Sequence, residues 1–258
     1  MSLIIREKKE NIYKLLINRP KYYNALNLAL LRDLELNLDF ISNDSDAKAI
    51  IITGSGNKSF IAGADINEMS NMNRIEAENF SDYGQKLTMK IENFNIPIIA
   101  AINGYALGGG CEFAMSCHIR YASDNAMFSQ PEVGLGLIAG FGGTQRLVQI
   151  LGKSQALELL ITGNSINAKE ALDLGLINKI SKQDDLISDV EKLCFRISQN
   201  APLAIKATLK SVNHSVDNLF KDSLIEEKKQ FSKLFDSYDA QEGMSSFKEK
   251  RKPTFKSK

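Results

Sequence analysis

The chain has 258 residues, 43% of them hydrophobic, enough to bury a full core in one domain with helical additions. Its 32 Lys and Arg residues balance 31 Asp and Glu residues to a formal charge of +1, so nothing global points to nucleic acid. Three irregularly spaced cysteines (Cys111, Cys117, Cys194) and two histidines (His118, His214) argue against a disulfide framework, a metal centre or a histidine-dependent triad.

Met1–Glu7 lacks the features of a secretory or transit leader, and no apolar run approaches the roughly 20 residues of a membrane span. The expectation is a cytoplasmic protein with no membrane association. Leu3–Arg6 and Ile12–Ile17 read as short strands around the polar turn Lys8–Asn11. Leu26–Ile41 is apolar at helical spacing, with Leu30, Leu31, Leu34, Leu38 and Ile41 on one stripe. Ala49–Thr53 reads as a buried strand ended by Gly54-Ser55-Gly56, Arg74–Phe94 as a long helix stopped before Pro97, and Ile98–Ile102 as the next buried strand. Ser154–Thr162 and Ala168–Leu174 read as short helices and Leu176–Ile180 as a strand. From Asp184 to Glu249 the pattern is helical, with Pro202 opening a new helix at a first-turn position. Buried strands joined through helices imply an α/β fold with crossover connections. The basic tail Lys248–Lys258 reads first as a solvated, frayed end, and otherwise as a local phosphate contact.

Two glycine-bearing loops follow two of the buried strands. Phe60–Ile66 contains Gly63, which can take a positive φ and aim the N–H of Ala64 away from the sheet. Asn103–Glu112 contains Gly108-Gly109-Gly110, which reads as a strand-to-helix junction with outward N–H groups and a favourable helix dipole. Glu112 then falls in the first helical turn, and a second acid, Glu132, follows in Gln130-Pro131-Glu132-Val133. Taken singly, these are a tight turn, a dipole-complementing acid and a surface acid. Together, N–H groups from Ala64 and Gly109 around one carbonyl oxygen, with two carboxylates beside it, suit an enolate. Each such donor contributes roughly 3 kcal/mol in a transition state. Gly134–Ala139 matches the dinucleotide fingerprint in letters only: Pro131 interrupts any strand leading in, and no acid closes a second strand.

These residues resemble the enoyl-CoA hydratase (crotonase) family. The resemblance is carried by Asn18–Lys21 with Asn24–Leu26, by Ala62–Ile66, by Gly104–Glu112, by Gln130–Gly136 and by Phe141–Leu147. It continues to Glu242–Met244 and Glu249–Lys252 in the tail. It implies a crotonase-like (ClpP/crotonase) spiral of ββα units with a C-terminal helical region. Residues 1–195 would be the spiral core with the active site, and 196–258 a helical trimerisation region. It implies homotrimers pairing into hexamers. It implies an oxyanion hole from the amides of Ala64 and Gly109, and Glu112 and Glu132 as the catalytic acids. Gly140 would leave room for the water beside the acyl group. Coenzyme A, part of the substrate and not a separate cofactor, would run along Lys21, Tyr22 and Tyr23 and along Ala62, Ala64, Asp65, Ile66 and Asn67. Phe231 and Lys250 would reach it from a neighbouring subunit.

The activity implied is reversible syn hydration of short-chain trans-2-enoyl-CoA, such as crotonyl-CoA, to 3-hydroxyacyl-CoA. The alternatives are a Δ3,Δ2-enoyl-CoA isomerase, an RNA-binding moonlighting protein and a non-catalytic subunit. RNA binding is disfavoured, because the helix Asn27–Asn43 has no lysine. His118, where relatives often have aspartate, puts one polar contact in doubt, and Ala139, where proline is frequent, would loosen the loop near Gly140.

Overall fold

The computed structural model describes residues 2–217, 228 and 237–258. It opens with a hairpin, β1 (Ile4–Lys9) and β2 (Ile12–Ile17), whose turn is the two residues Glu10 and Asn11. The chain continues through α1 (Leu28–Ser42), β3 (Ala49–Gly54), β4 (Ser59–Ala62), the one-turn helix α2 (Ile66–Met69) and α3 (Arg74–Glu92). Next come β5 (Ile98–Ile102), β6 (Tyr105–Leu107), α4 (Gly109–Ser116), β7 (Ile119–Ser123) and β8 (Met127–Ser129). Then follow α5 (Gly143–Leu151), α6 (Lys153–Thr162), β9 (Ile166–Asn167), α7 (Ala168–Asp173), β10 (Lys179–Ser181), α8 (Leu186–Ser198) and α9 (Pro202–Asp217). A last helix spans Tyr238–Glu249.

Among the described residues the strands form two sheets. The larger has the order β1-β2-β3-β5-β7-β10 and the smaller β4-β6-β8-β9. Each turn of the chain lays one strand in the large sheet, the next in the small sheet, and returns through a helix: β3-β4-α3, β5-β6-α4, β7-β8-α5. This is the ββα spiral that the resemblance implies. β3, β5 and β7 pair in parallel, as do β4, β6 and β8, while β9 closes the small sheet antiparallel to β8.

The centre of the large sheet is buried on both faces, which is why β3 and β5 read as unbroken apolar runs, while β1 at its edge is mostly exposed. Ile50, Ile52, Ile98, Ala100 and Ile102 join Leu30, Leu34, Leu38, Leu87 and Ile91 of α1 and α3 in the main core. Ala49, Ile51, Ile99 and Ala101 face the other way, under Leu186, Val190 and Cys194 of α8. The expected stripe of α1 is buried in full. The helix starts two residues later than its apolar pattern, because the Asn27 side chain caps it and Leu26 instead bridges to Ala64.

Three expectations need correction. The small sheet was not legible as strands: β4 and β6 fall largely within the two segments read as loops, and β8 was not assigned. Leu176 and Ile177 are buried but precede the strand, which begins at Lys179. The basic tail does not fray. Arg251 makes a two-pronged contact with Glu242 at 2.6 and 2.9 Å, the Thr254 N–H donates to Glu242, and the Lys256 and Ser257 amides donate to Asp239. The Arg251 guanidinium pushes the Glu242 carboxyl down to about 2. Among the described residues no helix is long and apolar enough to cross a membrane.

Candidate active site

Strand register gathers the site. β4 and β6 pair with Ala62 opposite Leu107, so Ala64 and Gly109 each lie two residues beyond a matched pair. β6 and β8 pair with Leu107 opposite Ser129, so Glu132 lies three residues beyond the next strand in the same sheet. All three loops leave the C-terminal edge of adjacent parallel strands, where open α/β sheets place their ligands.

Gly63 has φ +82°, and a Cβ there would meet the Leu107 carbonyl oxygen at 3.5 Å, so the two loops run side by side. Around Ala64 the backbone bonds run from Leu26 N–H to the Gly63 carbonyl (2.8 Å) and from Asp65 N–H to the Leu26 carbonyl (2.7 Å). The Ala64 N–H itself has no partner among the described residues. Gly109 is the first residue of α4, and its N–H is one of the orphan donors at that helix start. Gly108 ahead of it has φ +48°, and a Cβ there would sit 2.5 Å from Glu132 Oε1. Glycine is required at Gly108 on both counts, and the contact puts the Glu132 carboxyl beside the Gly109 donor.

Glu112, in the first turn of α4, is 1% exposed. Its Oε1 accepts from the Phe141 N–H at 2.7 Å and from the Gly143 N–H at 2.6 Å. Burial pushes its pKa up to about 7, opposed by the Gly143 amide and reinforced by the negative charge of Glu132. Glu132 is half-buried, and burial raises its pKa as well. With the Gln130 amide nitrogen facing the carboxylate, Gln130 donates to both Glu132 oxygens, at 3.3 and 3.1 Å. Two carboxyls close enough for their charges to interact, each held above the usual range, are suited to moving protons.

Gly140 is pinned: its carbonyl accepts from Ser81 Oγ (2.6 Å) and Gln85 Nε2 (3.1 Å) of α3. The loosening expected from Ala139 is offset by these bonds. A Cβ on Gly140 would meet only Ser81 Oγ, at 3.7 Å, so space remains beside it. Met72, Phe80 and Tyr83 share a cleft of about 540 Å³ with Leu28 and Arg32. Phe80 packs on the Phe141 ring at 5.3 Å, which joins that cleft to the Glu112 loop.

The two coenzyme segments are neighbours, since the Ala62 N–H donates to the Tyr23 carbonyl at 3.1 Å. Lys21, Tyr22 and Tyr23 are exposed, as are Ile66 and Asn67, and Ala62 lines the junction. Asp65 is committed elsewhere: its carboxylate pairs with Arg19 at 2.8 Å and caps α2 through the Asn67 N–H. It therefore orders the loop. Lys250 is exposed at φ +54°, and among the described residues no hydrogen bond or ion pair ties it to the site. Phe231 lies outside the described residues. His118 fills its own contact: Nδ1 accepts from the Ile98 N–H at 2.9 Å, so Nε2 carries the proton and donates to the Glu92 carbonyl at 3.1 Å. Gly134–Ala139 is no nucleotide turn: Pro131–Leu135 is a 3-10 turn leading into an exposed loop. Among the described residues no cluster could hold a metal ion.

Gln130, Phe141, Gly143 and Arg146 were not singled out as site residues from the sequence. They lie inside the stretches that carried the resemblance, which was the available signal.

A ββα spiral with paired amide donors and two raised carboxyls at one sheet edge defines a class. The chain belongs to the enoyl-CoA hydratase/isomerase family, whose model matches residues 7–258. It is 45% identical over 252 residues to the short-chain-enoyl-CoA hydratase of Clostridium acetobutylicum, covering 98% of this chain and 97% of that one. It is 45% identical over 255 residues to the crotonyl-CoA hydratase of Syntrophomonas wolfei, covering 99% and 98%. The solved structure of enoyl-CoA hydratase from Bacillus anthracis matches with a TM-score of 0.96 at 33% identity, covering 99% of this chain and 100% of that one.

Proposed function

We propose that this chain is a hydro-lyase that reversibly hydrates short-chain trans-2-enoyl-CoA, crotonyl-CoA among them, to 3-hydroxyacyl-CoA. The observation that carries the reading is the pair of carboxyls, Glu112 anchored through one oxygen and Glu132 beside the Gly109 donor, on the edge where Ala64 and Gly109 meet. The two like relatives, named for short-chain and crotonyl substrates, support the acyl length.

In this mechanism the thioester oxygen lies between the amides of Ala64 and Gly109, which stabilise the enolate as it forms. Water lies between the carboxyls. Glu112 orients it and takes its proton as the oxygen attacks C3, Glu132 gives a proton to C2 from the same face, and the proton left on Glu112 passes back to Glu132 through solvent, which restores the pair. The reaction balances with water alone, so it calls for no separate cofactor and no metal. Lys21–Tyr23 and Ala62–Asn67 flank the coenzyme, with Phe231 and Lys250 assigned to a neighbouring copy.

Assembly into homotrimers and hexamers is assigned to residues 196–258, and apolar side chains left exposed elsewhere on the single chain are consistent with further subunit contacts. Leu135, Ile138 and Ile161 are 57%, 73% and 68% exposed in the single chain. Light scattering on the purified protein measures the mass, and a monomer would contradict this part.

The test of the activity is direct. Purified protein with crotonyl-CoA should remove the conjugated thioester absorbance and yield 3-hydroxybutyryl-CoA. Conversion of a 3-enoyl-CoA without hydration of crotonyl-CoA would move the assignment to an isomerase. Salt-sensitive RNA retention with neither activity would move it to a binding protein.

A further inference from the structure

We propose that Arg146 is a positioning residue for this reaction: with Thr88 it holds the Phe141 carbonyl, and through that peptide it fixes the amides on Glu112 Oε1, so that Glu112 meets the water through Oε2. The inference rests on the hydration reading above and names how one of its acids is aimed.

The Phe141 carbonyl accepts from Arg146 Nη1 at 2.9 Å and from Thr88 Oγ1 at 3.1 Å. The Gly140 carbonyl, one peptide back, is held by Ser81 and Gln85. The N–H groups of Phe141 and Gly143 are thereby aimed at one point, where Glu112 Oε1 lies. Gly142 between them has φ +104°, and a Cβ there would sit 2.3 Å from Arg146 Nη1, so the turn lies directly on the guanidinium. The Gly140 carbonyl shares its peptide with the Phe141 N–H, so the two bonds it accepts polarise that donor; Arg146 holds the peptide between the two donors and acts on them by position.

Oε1, accepting two N–H bonds, has no room for a proton of its own. The exchanging proton belongs on Oε2. Oε2 accepts nothing from the described residues and is not fully enclosed, so it is the oxygen left for a water. Anchoring one oxygen therefore leaves the carboxyl with one working oxygen and one orientation.

Arg146 is itself 8% exposed, and its charge is met by Glu92 at 2.9 Å. Glu92 is 34% exposed, and an ion pair screened on one side by solvent adds little net stability, so stability alone does not account for it. The flat guanidinium serves a carbonyl and a carboxylate at once, a geometry that the point charge of lysine does not reproduce.

The charged groups acting on the Glu112 carboxyl are Glu132, from the turn after β8, and Arg146, from α5. Glu92, from α3, faces it across Arg146. Cys111 and Cys117 remain thiols, since burial pushes each up to about 12. His118 stays neutral because burial lowers its pKa, and its ring holds the Glu92 carbonyl.

The test compares Arg146→Gln, Arg146→Lys and Glu92→Gln with the parent enzyme on crotonyl-CoA. Arg146→Gln should lower kcat by roughly 10–100-fold, the usual effect of losing a partner that orients a catalytic ligand, with KM little changed. The acid limb of kcat/KM should move up by roughly one pH unit, because the cation that favours ionised Glu112 is gone. Glu92→Gln should move the limb down, because the cation then acts on Glu112 unneutralised. Arg146→Lys should lower kcat and leave the limb near its parent position. Opposite shifts from the two halves of one ion pair are not produced by a general loss of folding. Unshifted limbs, or losses that merely track melting temperature, would overturn the proposal. A ¹³C titration of the Glu112 carboxyl, assigned by its loss in Glu112→Gln, reads the same shifts without turnover. If the parent enzyme does not hydrate crotonyl-CoA, the hydration reading fails by itself, and this titration still decides whether Arg146 and Glu92 tune Glu112.

Discussion

Glu112→Gln should make the protein more stable and far less active. In an unfolded chain the Glu112 carboxyl gives up its proton near 4.5, while in the fold it holds it up to about 7. The folded state binds this proton more tightly. The stability it contributes is full below pH 4.5 and is lost as pH rises to about 7. At 1.36 kcal/mol per pH unit, the fold gives up about 3 kcal/mol above that range in keeping the carboxylate ionised and buried. Glutamine avoids this penalty. Its carbonyl oxygen can take the place of Oε1 and accept from Phe141 and Gly143, while its NH₂ takes the place of Oε2. Urea unfolding at pH 8 and fixed protein concentration should show the variant more stable by about 2–3 kcal/mol. Near pH 4.5 the two should converge. Hydration should fall by roughly 10²–10⁴-fold, the contribution of a placed acid or base. A variant no more stable at pH 8, or one keeping the parent's slope between pH 4.5 and 7, would show that this carboxylate is not strained by its burial. Full hydration in the variant would remove the two-acid mechanism.

Glu132→Gln should suppress the exchange of solvent deuterium into C2 of the thioester along with hydration, by roughly 10²–10⁴-fold; unchanged exchange by proton NMR would rule out Glu132 as the donor. Gly110→Ala puts a Cβ 1.9 Å from the Ile61 carbonyl and must push α4 off β4, whereas Gly134→Ala meets open space. The first should cost about 1–3 kcal/mol or more and the second less than about 0.5; equal melting temperatures would contradict the packing of α4. Glu242→Gln should free the tail, seen as faster tryptic cleavage at Lys250 and Arg251. In the parent, the latch is present above pH 4.5 and weakens only as pH falls toward about 2, because Arg251 lowers the Glu242 pKa. Cleavage in the parent should therefore be the same at pH 5 and 8 after correction for the protease's own profile, and a strong rise at pH 5 would count against the latch.

What could be read from the sequence follows from how far each signal reaches along the chain. β3 and β5 are apolar without a break because both faces of the large sheet are covered at its centre, so a short window suffices. The stripe of α1 repeats over four turns and survives intact in the core. β4, β6, β8 and β9 are two to four residues long, too short for a period to show. Yet those strands aim the site, so the glycines and acids were legible while the framework beneath them was not. Glu112 was visible because a glutamate just after three glycines is unusual. Arg146 was not: an arginine in an amphipathic helix reads as a solvent-facing residue, and its burial depends on Glu92, far away along the chain. The tail failed for the same reason. Its run of cations looks unattached until Asp239 and Glu242 turn toward it.

The spiral supplies the site in instalments. Ala64 lies in the first of the three ββα turns, Gly109 and Glu112 in the second, and Glu132 in the third. A growing chain leaving the ribosome would have both amides before it had Glu132, and it would also lack the Phe141 and Gly143 amides that hold Glu112. Such a chain could not yet carry out the proposed hydration. In the proposed mechanism, catalytic competence therefore arrives late in synthesis, with the peptide around Phe141.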